Sequence, residues 1–198
     1  MRTATTVMRL PIAMLLTLMV ANVAAAQTTS SPRERKHDAG GSITWLNLNG
    51  FSRTPTGVGG RVGYHVVDLL TLDMEANLFP SDNPATGRML QAFAGAKLGG
   101  RSRVFGLFGK VRPGGMRFSR DVIAPNTVCP LIFPTPQSCF ASRRAFALDY
   151  GSVIEIYPND RSIIRVDTGT SYIWYHRNNG TRERTGNFQI TVGLARRF

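Results

Sequence analysis

The chain closes on TGNFQITVGLARRF, residues 185–198, an alternating segment whose last residue is aromatic. Phe188, Ile190, Val192 and Leu194 fall on one face, and Gln189, Thr191, Gly193 and Ala195 on the other. A period of two sustained over about ten residues suits a strand that crosses a bilayer at a tilt. A soluble domain rarely stops on such a strand. In a membrane barrel Phe198 is the expected signal for the assembly machinery.

The N-terminus agrees with export. Arg2 and Arg9 are the only charges before the apolar run Leu10 to Val20, and Ala24-Ala25-Ala26 offers a cleavage site before Gln27. Residues 1–26 read as a secretory signal peptide, since the run is too short for a membrane helix. Residues 27–41 (QTTSSPRERKHDAGG) are polar and charged, and read as a flexible periplasmic lead-in. Residues 42–198 read as one domain. No later segment has the roughly 18 apolar residues of a membrane helix, so a spanning chain must be a closed barrel.

The pattern predicts eight strands, near 42–52, 57–67, 70–79, 88–99, 102–118, 143–157, 161–176 and 186–198, with little helix. Val67-Asp68-Leu69, Gly99-Gly100-Arg101 and Pro158-Asn159-Asp160 read as tight turns, and longer connections alternate with them. That alternation matches short periplasmic turns and long external loops. The fold class is therefore all-β: an eight-stranded antiparallel up-and-down transmembrane β-barrel.

In such a barrel the lipid face is apolar and the lumen polar. Leu72, Met74 and Leu78 oppose Asp73 and Glu75; Leu90 and Leu98 oppose Gln91 and Lys97; Ile164, Val166 and Trp174 oppose Arg165 and Asp167. The assigned interior holds Arg61, Lys97, Lys110, Arg112, Arg165 and Arg197 against Asp73, Glu75, Asp149, Glu155 and Asp167. Buried charges persist when paired, and eight strands enclose just enough room for side chains. An ion-paired, filled lumen is expected rather than an open pore. A soluble lipocalin-like barrel would satisfy the same alternation with the faces exchanged. In the first segment Leu46 and Leu48 are expected to face lipid, with Trp45 and Phe51 inside.

GGRVGYHVVDLLTLDMEANLFP (59–80), GLFGKVRPGGMRFSR (106–120), ALDYGSVIEIYP (147–158) and RSIIRVDTGTSYIWY (161–175) resemble a bacterial family of small outer-membrane barrels, the OmpA-like barrel domain group. The resemblance spans residues 42–198. It implies location in the outer membrane of a Gram-negative-type cell. It implies no shared activity.

The formal charge is +12, or +10 without Arg2 and Arg9. A basic balance raises nucleic acid as a partner, but an exported chain without a lysine-rich tract or recognition motif fits anionic lipid better. Arg143, Arg144, Arg182 and Arg184 flank two external loops and are candidate contacts for lipopolysaccharide phosphate. Cys129 and Cys139, the only cysteines, share the longest loop and are expected to pair in an oxidising compartment. Pro125, Val128, Leu131 and Phe133 make that loop stiff and apolar.

No enzyme is expected. His176, Ser171 and Asp167 are the nearest approach to a triad, and two of them point inward. No cofactor is implied, and no spacing suits a metal. The function this supports is a structural or adhesive monomeric barrel rather than a large-pore porin. A lipid hydrolase or acyltransferase and a soluble periplasmic ligand-binding barrel are the alternatives.

Overall fold

Alternating side-chain polarity is carried into long antiparallel strands. A computed structural model describes residues 36–49, 54–83, 86–123, 129–130, 132 and 134–198. The strands are β1 (His37–Asn47), β2 (Thr56–Val67), β3 (Leu70–Asn83), β4 (Gly87–Arg101), β5 (Phe105–Phe118), β6 (Val122–Ile123), β7 (Phe140–Ala141), β8 (Arg144–Asn159), β9 (Ser162–His176) and β10 (Arg182–Arg197). Eight of them close into a barrel in the order β1-β10-β9-β8-β5-β4-β3-β2, while β6 and β7 pair separately. The seam joins the chain's first and last strands, from Asp38 opposite Arg197 to Asn47 opposite Phe188. Closure leaves no edge, so the barrel strands satisfy their backbone groups internally, as a bilayer demands. The signal peptide, most of the lead-in, Phe51, Pro125, Val128, Leu131 and Phe133 lie outside the described residues.

The polarity is inside-out. Leu72, Met74, Leu90, Leu107, Val111 and Ile154 point outward and are exposed, whereas Asp73, Lys97, Arg112 and Asp149 are buried. A soluble barrel buries its apolar face; this one exposes it as a continuous band and turns its charges inward. The chain is a transmembrane β-barrel, and the lipocalin-like exchange of faces does not hold.

The connections alternate as expected, but several boundaries move. The strand β1 starts at His37, so the last part of the expected 27–41 lead-in, and the boundary at 42, belong to the barrel instead. Pairing with Tyr64 of β2 and closure against β10 hold this segment, and neither is visible in its polar composition. The Gly99-Gly100 pair is not a turn. It lies in β4, and a Cβ at Gly99 would meet the Leu107–Phe108 backbone. The turn is one step later, where Ser102 Oγ accepts hydrogen bonds from the Val104 and Phe105 amides. In the β8–β9 turn Asn159 Oδ1 accepts from the Arg161 and Ser162 amides, the expected Asx chemistry.

The expected register of the first segment is reversed. Leu46 and Leu48 are buried inside, and Trp45 (39% exposed) and Ile43 (46%) face outward. The reason is what they meet. Leu46 and Leu48 join Phe79, Met89, Met116, Phe118, Ile173 and Tyr175 in an apolar cluster at the loop end of the lumen. Apolar side chains therefore occupy both faces of β1 near that end.

Candidate functional site: the lumen and the loop-side rim

Each inward position along a strand sits about 6.6 Å from the next, so the lumen is built in tiers. The lowest tiers carry the charge. The Arg112 guanidinium donates through Nε and Nη2 to Asp149 Oδ2 at 2.9 and 2.6 Å. Its Nη1 donates to Asp73 Oδ2 and Glu75 Oε2, both at 2.8 Å. Arg165 grips Asp73 with two nitrogens at 3.0 and 2.9 Å and Asp167 through Nε at 2.9 Å. Lys110 reaches Asp149 at 2.8 Å, and Lys97 pairs with Glu155. Glu155 also accepts from the Tyr157 hydroxyl at 2.9 Å.

Small residues make room for these side chains. A Cβ at Gly95 would lie 2.7 Å from the Arg112 Cα, and one at Gly63 would lie 2.6 Å from Asp38 Oδ2. The arginine fork needs that space to reach three carboxylates from one strand.

Sequence reasoning placed ten of these ion-pairing residues on the inward face, and the structure brings Arg61, Asp73, Glu75, Lys97, Lys110, Arg112, Asp149, Glu155, Arg165 and Asp167 together as buried neighbours. Arg197 faces inward as expected but does not join the carboxylates. It lies at the turn-side mouth with its guanidinium 4.2 Å from the Tyr157 ring centroid. The missed member is Asp38, buried on β1, 3.7 Å from Arg61 and 3.2 Å from His65 Nε2. Arg101 Nη2 lies 2.9 Å from His65 Nδ1, and a donor there leaves Nε2 to carry the ring proton towards Asp38. Asp38 follows His37 in a stretch that reads as lead-in. Only the parity of β1, extended toward the N-terminus, could have found it.

Above the charges runs a belt of neutral polar groups. Gln91 donates to Gln189 at 3.0 Å, Ser171 donates to the same oxygen at 3.1 Å, and the Thr44 and Thr191 hydroxyls meet at 2.9 Å. The apolar cluster lies above that, at the loop end. Ser171 and Asp167 are thus engaged inside the lumen, while His176 is exposed on the outward parity of β9. The three do not converge. Among the described residues no group of His, Cys, Asp and Glu could hold a metal ion.

At the rim, Cys129 and Cys139 form the expected bridge, with Cα atoms 5.8 Å apart. The four candidate rim arginines divide. Arg143 Nε donates to Asp121 Oδ1 at 2.8 Å in the exposed loop. That hydrogen bond holds the Asp121 carboxyl below its usual range and raises the Arg143 guanidinium. Arg144, Arg182 and Arg184 instead lie on the barrel strands, on the outward parity, and Arg184 stands 4.9 Å from the Tyr172 ring centroid.

No protein-family model and no curated protein matches the chain. Solved structures do match in fold. Neisserial surface protein A shares 12% identity at a TM-score of 0.54, over 82% of this chain and 97% of its own. The outer membrane protein OprG from Pseudomonas aeruginosa shares 9% identity at a TM-score of 0.51, over 84% of this chain and 97% of its own. The fold is that of small outer-membrane β-barrels.

Proposed function

We propose that this membrane barrel resides in the bacterial outer membrane as a closed, non-conducting anchor that presents a structured loop surface for adhesive or structural contact outside the cell. The observation that carries the reading is the division of labour along the barrel axis. The lumen is filled by interlocked charges below and apolar side chains above, while local structure is invested in the longest external connection. That connection holds the β6–β7 ribbon, the Cys129–Cys139 bridge and a short 3-10 turn at Gln137–Cys139. Arg177 Nη2 and Asn178 Nδ2 of the next loop donate to the Ser138 and Gln137 carbonyls, so the two loops brace each other. A braced loop loses less entropy on meeting a partner than a floppy one.

A catalytic reading has less support, because Ser171 and Asp167 are engaged by Gln189 and Arg165 inside the lumen, beneath the apolar cluster, and His176 lies on the other face of the strand. The last strand, β10, with Phe198 beyond it, is the segment the barrel assembly machinery would engage. The protein acts as a monomer in this reading, since the barrel closes on itself.

The test compares cells displaying the full chain with cells displaying a chain whose residues 120–142 are replaced by a short Gly-Ser linker. Both should fractionate with the outer membrane and resist carbonate. Attachment to immobilised host-matrix protein should fall to the vector-only level in the linker variant. Equal attachment by the two, or none by either, would count against the adhesive role.

A further inference from the structure

The barrel register sets two arginines side by side where they face lipid. Arg117 of β5 is directly opposite Arg144 of β8, and both are exposed on the outward parity at the loop-side rim. Directly opposed like charges on one sheet face repel. Neither has a carboxylate partner among the described ion pairs, unlike Arg143 in the loop above.

The pair is the centre of an arc. Arg88 of β4 lies one step from Leu90, which is opposite Arg117. On the other side Arg182 and Arg184 of β10 stand opposite His176 and Trp174 of β9. No Asp or Glu occupies an outward position on β4, β5, β8, β9 or β10. Beneath the arc is an aromatic shelf. Phe146 contacts Trp174 at 5.3 Å between centroids, and Trp174 contacts Tyr172 at 6.1 Å. Such a shelf marks headgroup depth, with cations snorkelling just above it. Among the described residues, the opposite arc, on β1 to β3, presents Trp45, Asn47, Thr56 and Leu78 at the same end, and no outward arginine.

We propose that Arg117 and Arg144 together clamp a phosphate monoester of an outer-leaflet lipid, lipopolysaccharide, and that its acyl chains lie along the barrel wall below. The proposal rests on the membrane placement and not on the adhesive role. Charge complementarity selects the occupant. Two adjacent guanidinium groups match a phosphomonoester, whose charge at neutral pH is about −1.5 to −2, better than a phosphodiester with a single charge. The wall below is smooth enough for chains. Ala92 lies opposite Gly115, and further down a hollow of about 540 Å³ is bordered mainly by small and apolar residues, Ala96, Leu98, Gly109, Val111 and Tyr150 among them, together with Lys110.

The experiment uses the folded full-length mature chain in detergent micelles and measures binding of bisphosphorylated lipid A. Arg117→Ala/Arg144→Ala should weaken binding about tenfold or more, the scale of lost charge-assisted hydrogen bonds. Arg143→Ala should bind as the parent does. Lipid A stripped of phosphate should bind the parent as weakly as intact lipid A binds the double variant. Equal binding by parent and double variant would overturn the site, as would an equal loss in Arg143→Ala. Phosphatidylglycerol binding as tightly as lipid A would overturn the monoester assignment. Competition by millimolar inorganic phosphate as strong as by lipid A would reassign the pair to free anions. Heat-modifiable gel mobility, followed in parallel, reads the barrel itself. A folded double variant that binds normally contradicts only the site, whereas a parent that shows no heat-modifiable form contradicts the membrane placement beneath it.

Discussion

Arg112 concentrates the chemistry of the lumen in one side chain. It is buried, and it donates to Asp73, Glu75 and Asp149 from three different strand positions. Its removal would leave carboxylates facing one another without their main counter-charge. Breaking a buried pair from one side costs about 3–5 kcal/mol, far more than an exposed pair is worth. Arg112→Met should therefore lower barrel stability by about that amount, read as a fall in the urea midpoint for unfolding from lipid vesicles. Loss of the exposed Arg143–Asp121 pair should move the same midpoint little. Equal shifts in the two variants would mean that the lumen charges are hydrated rather than interlocked. Residue identity in this network was largely legible in the sequence. Residues such as Asp73, Glu75 and Arg165 alternate with strongly apolar neighbours, and that contrast fixes the face. Asp38 was not legible, because Gly40, Gly41 and Ser42 beside it supply no apolar contrast. Its strand is held by partners on both sides rather than by its own propensity.

At the level of the strand, the informative failure is β1. Parity arguments assume that one face is apolar, and they hold for β3, β4, β5, β8 and β9, where charged or amide side chains line the lumen. Near the loop end the lumen itself turns apolar, so Leu46 and Leu48 look lipid-facing while they are buried in the same cluster as Phe79 and Ile173. Trp45, on the opposite parity from both leucines, then reads as inward. The exchange is measurable. In a Trp174→Phe variant Trp45 is the only tryptophan. Its fluorescence in vesicles of brominated lipid should be strongly quenched, as a 39% exposed ring on the outer wall requires. Emission untouched by brominated lipid would return Trp45 to the lumen and reverse the strand. The Gly99-Gly100 error has a related cause. Glycine reads as a turn signal in isolation, but here Gly99 permits close approach of the β5 backbone.

For the whole molecule, one property joins the lumen, the rim and the proposed role. The barrel is inside-out, and in the proposed reading side chains fill the interior it encloses. Eight-stranded barrels are at the size where side chains can fill the lumen. Here Arg112, Arg165 and Lys97 are among the largest fully buried side chains, with Phe79 and Tyr175 above them. A steady ion path would have to displace both the interlocked charges and the apolar cluster. Large rearrangement of that kind conflicts with the density of hydrogen bonds among β3, β5, β8 and β9. The outward band and the alternation of connections were readable because they repeat along every strand. The tiered lumen was not, because it depends on how eight strands are staggered against one another. Single-channel recording in planar bilayers tests the closed-barrel account most directly, with heat-modifiable mobility confirming that the inserted protein is folded. A closed barrel should give small or absent currents over a range of voltages and salt concentrations, and stable porin-sized openings would contradict it.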